Sequence, residues 1–179
     1  NIKLDEKNIS FLRDKYLPHL NIKTIDFSSD NNFSIDIDKK FKFQNIKVNS
    51  TLNINQAKIS HQYNLKNFFP NINNEIILSK NKIELDYKKK NFKIIGQGDI
   101  LLQNKNDSFS FNFEKNKNKF IFRNVLKIKE NPFLLNFLNY KKNEKVETVI
   151  KIDGFKNLKN KLFFNLISLS EGDNKIDFT

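Results

Sequence analysis

The sequence lacks cysteine, methionine and tryptophan, and it has one alanine and four glycines in 179 residues. Without cysteine, the chain can form no disulfide, no thiolate metal site and no cysteine nucleophile. No run of 18 apolar residues occurs, so the sequence predicts no membrane-spanning helix. A single alanine beside abundant isoleucine and 19 phenylalanines argues against a helical bundle, because isoleucine and phenylalanine favour strands.

Lysine, asparagine, isoleucine and phenylalanine are the residues in excess. Thirty lysines and two arginines oppose 20 acidic residues and give a net charge of +12 at pH 7. Lysine, asparagine and isoleucine have A/T-rich codons, so an A/T-rich genome explains part of this excess without a functional cause. The large apolar side chains are numerous enough to fill a core, so a fully disordered chain is not expected.

Alternation of apolar and polar residues dominates the chain after residue 20 and predicts strands with one apolar face. The alternation is clearest at 33–43, 83–87, 109–113 and 146–152. Further strands are predicted at 22–28, 46–49, 51–60, 74–79, 91–102, 119–128 and 161–169.

Clusters of asparagine, lysine, aspartate and glycine separate these segments and predict tight turns, because asparagine and aspartate tolerate positive φ. The connections are too short for the helix that a βαβ unit needs, so the strands are expected to be antiparallel. Residues 131–140 fit either a short helix or a bent strand. The clusters lie at 29–32, 79–81, 88–91, 104–107, 115–118 and 171–174.

These patterns predict a mainly β fold, an antiparallel meander in which each strand has one apolar face. The apolar spacing at 9–17, ended by Pro18, adds one short N-terminal helix. The apolar faces would either stay open as a groove or close on each other as a β-sandwich, which is the alternative fold. Gly96 and Gly98 flank Gln97 inside a long apolar strand, where they predict a bulge or a tight bend.

No constellation of catalytic residues stands out, so an enzyme is not expected, and neither a cofactor nor a metal is predicted. The two histidines, His19 and His61, lie outside any acid–nucleophile cluster. No Gly-x-Ser-x-Gly sequence marks a nucleophile elbow. Asp36 and Asp38 lie on one side of a strand, and we interpret them as part of a solvated face.

Nucleic-acid binding is a third alternative, because a basic sheet with many aromatic residues can stack bases. Three features weigh against it. Arginine, the preferred reader of phosphates and bases, is almost absent. The lysines are spread along the chain, with one tight cluster at 88–90, and the phenylalanines alternate with polar residues and so belong to the apolar face. No nucleic-acid partner is expected.

Two stretches of strand, glycine and strand resemble the repeated rows of the AsmA-like family of bacterial envelope proteins, of the TamB and YhdP type. In the first, Asn-Phe-Phe-Pro at 67–70 is followed by Ile-Glu-Leu-Asp-Tyr at 83–87 and by the apolar strand with Gly96 and Gly98. The second has Val-Ile-Lys-Ile-Asp-Gly at 149–154 and Leu-Ile-Ser-Leu-Ser-Glu-Gly at 166–172. The resemblance covers about residues 20–179 and is one of pattern, not of diagnostic residues.

The resemblance implies that the meander forms a curved, elongated and open sheet and that it has a lipid-conducting function. AsmA-like proteins form long taco-shaped β-grooves that are anchored at the inner membrane and cross the periplasm. Residues 1–179 would then be a single β-rich segment of a longer periplasmic protein, tethered to the inner membrane by a region outside this sequence. The segment would conduct phospholipids between inner and outer membranes along its apolar groove.

The side chains expected to line such a groove, and to contact phospholipid acyl chains, are the alternating apolar ones. The alternative function is a non-catalytic structural or binding β-sandwich, a jellyroll-like scaffold whose apolar faces cover each other. The sequence does not decide which of the two alternating sets of residues in each strand faces the groove, because a single bulge exchanges the two faces. The expected lining residues are Phe33, Ile35, Ile37, Phe41, Phe43, Ile83, Leu85, Tyr87, Phe109, Phe111, Phe113, Ile150 and Ile152.

Overall fold

A computed structural model describes residues 1–8, 10, 21–61, 64–89, 91–116 and 118–179. The described residues are mainly β, as the alternation of apolar and polar residues predicts. No helix among them is long and apolar enough to cross a membrane. The strands are β1 (Ile2–Asp5), β2 (Asn21–Ile37), β3 (Phe43–Ser60), β4 (Glu75–Lys88), β5 (Asn91–Leu101), β6 (Asp107–Lys115), β7 (Lys119–Ile128), β8 (Leu134–Leu135), β9 (Tyr140–Lys141), β10 (Thr148–Asn157), β11 (Leu162–Glu171) and β12 (Asn174–Phe178).

Ten of these strands form one open antiparallel sheet in the order β1-β2-β3-β4-β5-β6-β7-β10-β11-β12. Successive strands of this sheet therefore pair with each other, with β7 next to β10 because β8 and β9 lie outside the sheet, and the predicted curved meander is confirmed. The only other sheet among the described residues is the small β8–β9 hairpin, which encloses a 3₁₀ turn at Asn136–Leu138. Residues 6–8 and 10 are helical, and the rest of the predicted helix at 9–17 lies outside the described residues.

Two predicted turns are wrong, because the chain continues through them as strand. The polar cluster at 29–32 lies inside β2, where Asn31 pairs with Ser50 and accepts a hydrogen bond from its hydroxyl at 2.5 Å. The cluster at 79–81 is a bulge inside β4, opposite Gly98 of β5. The predicted bulge near Gly98 is thus present, but the extra residue is on the neighbouring strand. In both clusters, polar residues that resemble turns are compatible with strand because cross-strand partners satisfy the backbone.

The connections alternate between the two ends of the sheet. The turns β2–β3, β4–β5, β6–β7 and β10–β11 lie at one end, which we call the hairpin end. The long connections at 61–74 and 129–147 lie at the opposite end, together with the shorter ones at 102–106 and 172–173, and we call it the capped end. Residues 131–140, left open between helix and bent strand, contain β8, the 3₁₀ turn and β9. The hairpin-end turn at 38–42 was not predicted.

The buried core is small and sits at the capped end. Ile128, Phe133 and Leu169 are buried there. Phe69 packs against this cluster, with its ring 5.4 Å from that of Phe133. Towards the hairpin end most large apolar side chains stay exposed or half-buried. The sheet therefore has one enclosed end and a long uncovered remainder.

Two glycines allow phenylalanine rings to lie directly on the sheet. Gly96 is the cross-strand partner of Phe111, and an added Cβ there would collide with the end of the Phe111 ring. Gly154 is the partner of Phe122, and an added Cβ would meet both that ring and the backbone carbonyl oxygen of Phe163. Both glycines thus fix where an aromatic ring can rest.

Gly154→Ala is expected to lower the free energy of unfolding by about 2 kcal/mol, because the clash includes a rigid backbone carbonyl. Gly96→Ala should cost less, since only the end of a side-chain ring must move aside. Urea denaturation of the two variants measures the difference. Equal losses, or a larger loss for Gly96→Ala, would contradict this account.

Candidate functional site

One side of the large sheet carries most of its large apolar side chains, and we call this side, which includes Phe111, the apolar face. Polar residues interrupt it at Ser29, Asn31, Ser50 and Asn124. Directly opposed residues of an antiparallel pair share a face. The register therefore places Ile83, Gly96, Phe111 and Asn124 in one row across β4 to β7. Ile152, Ile167 and Phe178 continue that row across β10 to β12.

The register brings nine of the thirteen predicted lining residues onto this face. Phe33 joins them through its pairing with Val48, which in turn pairs with Tyr87. Their role in binding remains a prediction. The nine residues are Phe33, Ile83, Leu85, Tyr87, Phe109, Phe111, Phe113, Ile150 and Ile152.

The other four predicted lining residues lie near the tip of the β2–β3 hairpin. Ile37 pairs with Phe43 beyond a register shift, and Ile35 has no Cα partner in the register. The placement of Phe41 in the alternating strand is wrong, because it lies in the turn with φ of 57°. Apolar and polar residues continue to alternate through this turn, so the sequence pattern does not distinguish the turn from a strand.

Sequence reasoning missed several residues that complete the apolar face. Most of them belong to strands that were predicted, but which face their side chains occupy was not assigned. Phe92 and Ile94 alternate on β5, and each pairs with a predicted residue of β4. The signal that could have found them was the glycine at position 96, which continues the same parity. The further residues are Phe120, Phe122, Leu126, Phe164, Ile167, Leu169, Ile176 and Phe178.

A row of stacked phenylalanines forms the centre of the apolar face. The rings of Phe109 and Phe111 are 6.1 Å apart, and those of Phe111 and Phe113 are 5.0 Å apart. Phe120 on β7 extends the row at 5.6 Å from Phe113. All four rings are half-buried. The row therefore runs along β6 from the capped end towards the hairpin end as a continuous aromatic surface.

An apolar cavity of about 540 Å³ lies where the capped-end connections fold over this face. This volume is within the range of pockets that hold small molecules. Its floor is the sheet, and its wall comes from the connections that contain Phe68, Phe69, Phe133 and Phe137. The floor residues include Phe109, Phe111, Leu126, Ile150, Ile152, Ile167 and Leu169.

Buried polar side chains join the two capped-end connections. Gln103 is fully buried; its Oε1 accepts the Asn71 backbone N–H at 3.0 Å and its Nε2 donates to the Pro132 carbonyl at 2.8 Å. One further backbone bond links the connections, from the Leu134 N–H to the Phe68 carbonyl at 3.0 Å. The wall of the cavity is thus held by directional bonds as well as by apolar contacts.

A second polar cluster fixes the start of the 129–147 connection. The buried Asn131 donates to the Asp107 carboxylate at 2.8 Å, and the Lys129 backbone N–H donates to the same carboxylate at 3.1 Å. Burial raises the pKa of Asp107 above its ordinary value despite these donors. Burial likewise lowers the pKa of Lys142, whose ammonium donates to two backbone carbonyls.

Tyr140 connects this end of the sheet to β11. Its hydroxyl donates to the Glu171 carboxylate at 2.7 Å and lies 3.1 Å from the Thr148 hydroxyl. Burial, followed by the nearby carboxylate, raises the pKa of Tyr140 to about 12. The phenol therefore stays protonated at physiological pH and keeps its hydrogen bond to Glu171, which holds the connection in place.

No cluster of potential metal ligands occurs in the part of the chain that the structure describes. His61 contacts the Asn73 carbonyl at 3.0 Å, and His19 lies outside the described residues. Asp38 accepts backbone bonds inside the 38–42 turn, so its role is to shape the turn. What the described residues offer here is an extended apolar surface.

Gln103→Ala is expected to loosen the cavity wall, because it leaves the Asn71 N–H and the Pro132 carbonyl without partners. The cost is about 2–3 kcal/mol of stability, concentrated at the capped end. Hydrogen exchange should accelerate at the amides of Asn71 and Leu134 and stay unchanged in β2 and β3. Gln97→Ala, at an exposed position on β5, serves as the control. Uniform acceleration across the sheet would refute a local role for Gln103.

Comparisons with protein-family models, with curated proteins and with solved structures found no match to this chain.

Proposed function

We propose that the apolar face binds the acyl chains of phospholipids and that the chain acts as a non-catalytic lipid-conducting segment. The observation that carries this proposal is the largely apolar face from β4 to β12, which has no second large sheet over it among the described residues. An apolar sheet face is stable in water only when something covers it. Acyl chains match its chemistry.

Hydrophobic burial supplies the driving force. Each methylene removed from water contributes about 0.8 kcal/mol, so even a short stretch of acyl chain along the Phe109–Phe120 row would bind favourably. No polar recognition site is needed, because the headgroup can remain in solvent beside the groove. The absence of a specific polar pocket in the described apolar face is compatible with a ligand recognised by its chains alone.

The ends of the groove differ in a way that fits conduction. The capped end narrows into the 540 Å³ cavity, whereas the hairpin end has no described element over it. Together with the resemblance to AsmA-like proteins, this supports a segment of a periplasmic bridge that passes phospholipids between inner and outer membranes. The contact with either membrane would then involve parts of the longer protein as well.

Phe111→Glu is expected to abolish the co-purification of phospholipid, because a carboxylate in the middle of the aromatic row makes burial of an acyl chain unfavourable. Lipid extraction and mass spectrometry of the purified chain measure the bound phospholipid per protein. The half-exposed ring of Phe111 lies on the sheet surface, so the variant should still unfold cooperatively.

Phe163→Glu is the matched control. Phe163 lies on the opposite face, is exposed, and stacks on Phe155 at 4.8 Å. The Phe163→Glu variant should lose this aromatic contact, and the protein should still co-purify with phospholipid. A lipid-free wild-type protein, or a Phe111→Glu variant that unfolds, would favour the scaffold alternative, in which a further protein surface covers the apolar face.

A further inference from the structure

The β2–β3 hairpin projects beyond the rest of the sheet. The last pair between β3 and β4 is Lys47 with Lys88, and Lys47 pairs with Ser34, so residues 35–46 have no third strand beside them. A two-stranded hairpin alone is marginally stable in water. This projecting part nevertheless exposes five large apolar side chains, Ile35, Ile37, Phe41, Phe43 and Ile46.

Lysines surround these apolar side chains and extend along the whole hairpin end. The four turns and the two strand residues on either side of each carry ten described lysines and three acidic residues, Asp36, Asp38 and Glu114. No described ion pair involves any of these lysines, and all ten are exposed. They are Lys39, Lys40, Lys42, Lys88, Lys89, Lys115, Lys119, Lys156, Lys159 and Lys161.

The capped end has no such excess of positive charge. Its connections carry lysines and acidic residues in equal numbers, and Lys105 and Glu130 form an ion pair there. The positive charge of the described chain is therefore concentrated at one end of the sheet. The capped-end residues are Lys66, Lys105, Lys129, Lys141, Lys142, Lys145 and Lys175 against Glu75, Asp107, Glu130, Glu144, Glu147, Glu171 and Asp173.

The β2–β3 and β10–β11 turns share one design. In the first, the Asp38 carboxylate accepts the backbone N–H groups of Lys40 at 2.7 Å and Lys42 at 3.0 Å, and the Phe41 N–H donates to the Asp38 carbonyl. These backbone donors, that of Lys42 foremost, lower the pKa of Asp38 below its ordinary value. The Asp38 carboxylate is therefore ionised at neutral pH and accepts both bonds within the turn.

The β10–β11 turn repeats these bonds with an asparagine. The Asn157 side chain accepts the N–H groups of Lys159 at 2.9 Å and Lys161 at 3.1 Å, and the Asn160 N–H donates to the Asn157 carbonyl. Each turn presents one strongly exposed apolar side chain between lysines: Phe41 is 87% exposed and Leu158 is 74% exposed. Two turns at separate places on one end of the sheet therefore offer the same chemistry.

The fourth position of both turns has positive φ, 57° at Phe41 and 59° at Asn160. Asparagine tolerates this conformation, whereas a bulky phenylalanine there is a genuine outlier with an energetic cost. The β10–β11 turn shows that asparagine satisfies the same bonds. Phenylalanine at position 41 is therefore unfavourable both for the backbone and for solvation, which indicates a function outside the folded chain.

We propose that the hairpin end docks on the surface of an anionic lipid bilayer. Phe41 and Leu158 enter the interfacial region, and the lysines beside them contact the anionic headgroups. Basic residues near such a surface are attracted by its negative potential, and apolar side chains add affinity by leaving water. The proposal does not depend on acyl-chain binding by the apolar face.

A bilayer fits this surface better than a nucleic acid or a second copy of the chain. Aliphatic Ile35, Ile37 and Leu158 gain nothing from stacking on bases, whereas they partition readily into lipid. A second copy would bring two sets of unpaired lysines together, and like charges repel. A bilayer accepts both the charge and the apolar tips.

Tryptophan fluorescence tests the insertion directly, because the natural chain has no tryptophan. Phe41→Trp and Leu158→Trp should shift to shorter wavelength with phosphatidylcholine vesicles that contain roughly 30% phosphatidylglycerol, and brominated lipids should quench both. Ile95→Trp, on the polar face in the middle of the sheet, should show neither change. Pure phosphatidylcholine vesicles and high salt should weaken the response at positions 41 and 158.

Phe41→Asn separates binding from folding. It places at position 41 the residue that occupies the equivalent position of the β10–β11 turn, so the melting temperature should rise. Vesicle co-sedimentation should nevertheless weaken by roughly tenfold, since a buried aromatic side chain is lost. Lys40→Gln should weaken it by about fivefold. A loss of binding together with a gain of stability cannot result from misfolding.

Three results would overturn the proposal. They are unchanged fluorescence at positions 41 and 158 while the protein sediments with vesicles, a blue shift that depends on protein concentration without lipid, and tighter binding to duplex DNA than to the anionic vesicles. Phe111→Glu should still bind vesicles, and Phe41→Asn should still co-purify with phospholipid. Failure of the docking proposal is therefore distinguishable from failure of acyl-chain binding.

Discussion

The pairing register of the ten-stranded sheet is the constraint on which the other features depend. Opposed residues share a face, so one slipped pair would move every apolar side chain of a strand to the other side. The bulges in β2, β3 and β4 absorb extra residues without breaking the apolar face. Gly96 and Gly154 also maintain the apolar face, because each leaves space for the phenylalanine ring of its cross-strand partner. A single apolar surface across many strands results.

A sheet with one apolar face must be covered, and this chain covers only part of it with its own described residues. The connection at 129–147 folds over one end, held by Gln103, Asn131 and the aromatic contacts of Phe133. The remainder depends on a ligand, on another part of a longer chain or on a partner. The cluster of buried Ile128, Phe133 and Leu169 lies at the capped end, so the apolar side chains there are covered by the chain itself.

Local patterns predicted the middle of the sheet well. Strands β5, β6 and β7 and the turns between them follow from strict alternation and from asparagine–lysine clusters, which act over a few residues. The same rule failed at 29–32, where asparagines face solvent inside β2, and at Phe41, whose apolar side chain imitates a strand residue.

The capped end could not be predicted from local patterns. Its contacts join residues about thirty positions apart, such as Asn71 with Gln103 and Lys105 with Asn131. Similarly, the composition gives the net charge of +12, but only the meander shows that alternate turns share an end. The concentration of lysines at the hairpin end is a consequence of topology.

The two ends of the sheet therefore differ in what they need. The capped end satisfies its polar groups internally, with balanced charge and buried hydrogen bonds. Among the described residues, the hairpin end carries ten lysines with no ion pair, and it places a phenylalanine where asparagine would be more stable. Neither feature helps an isolated β-sheet to fold, because repulsion between lysines and exposure of Phe41 both oppose stability. A surface that is negatively charged and apolar beneath would compensate both.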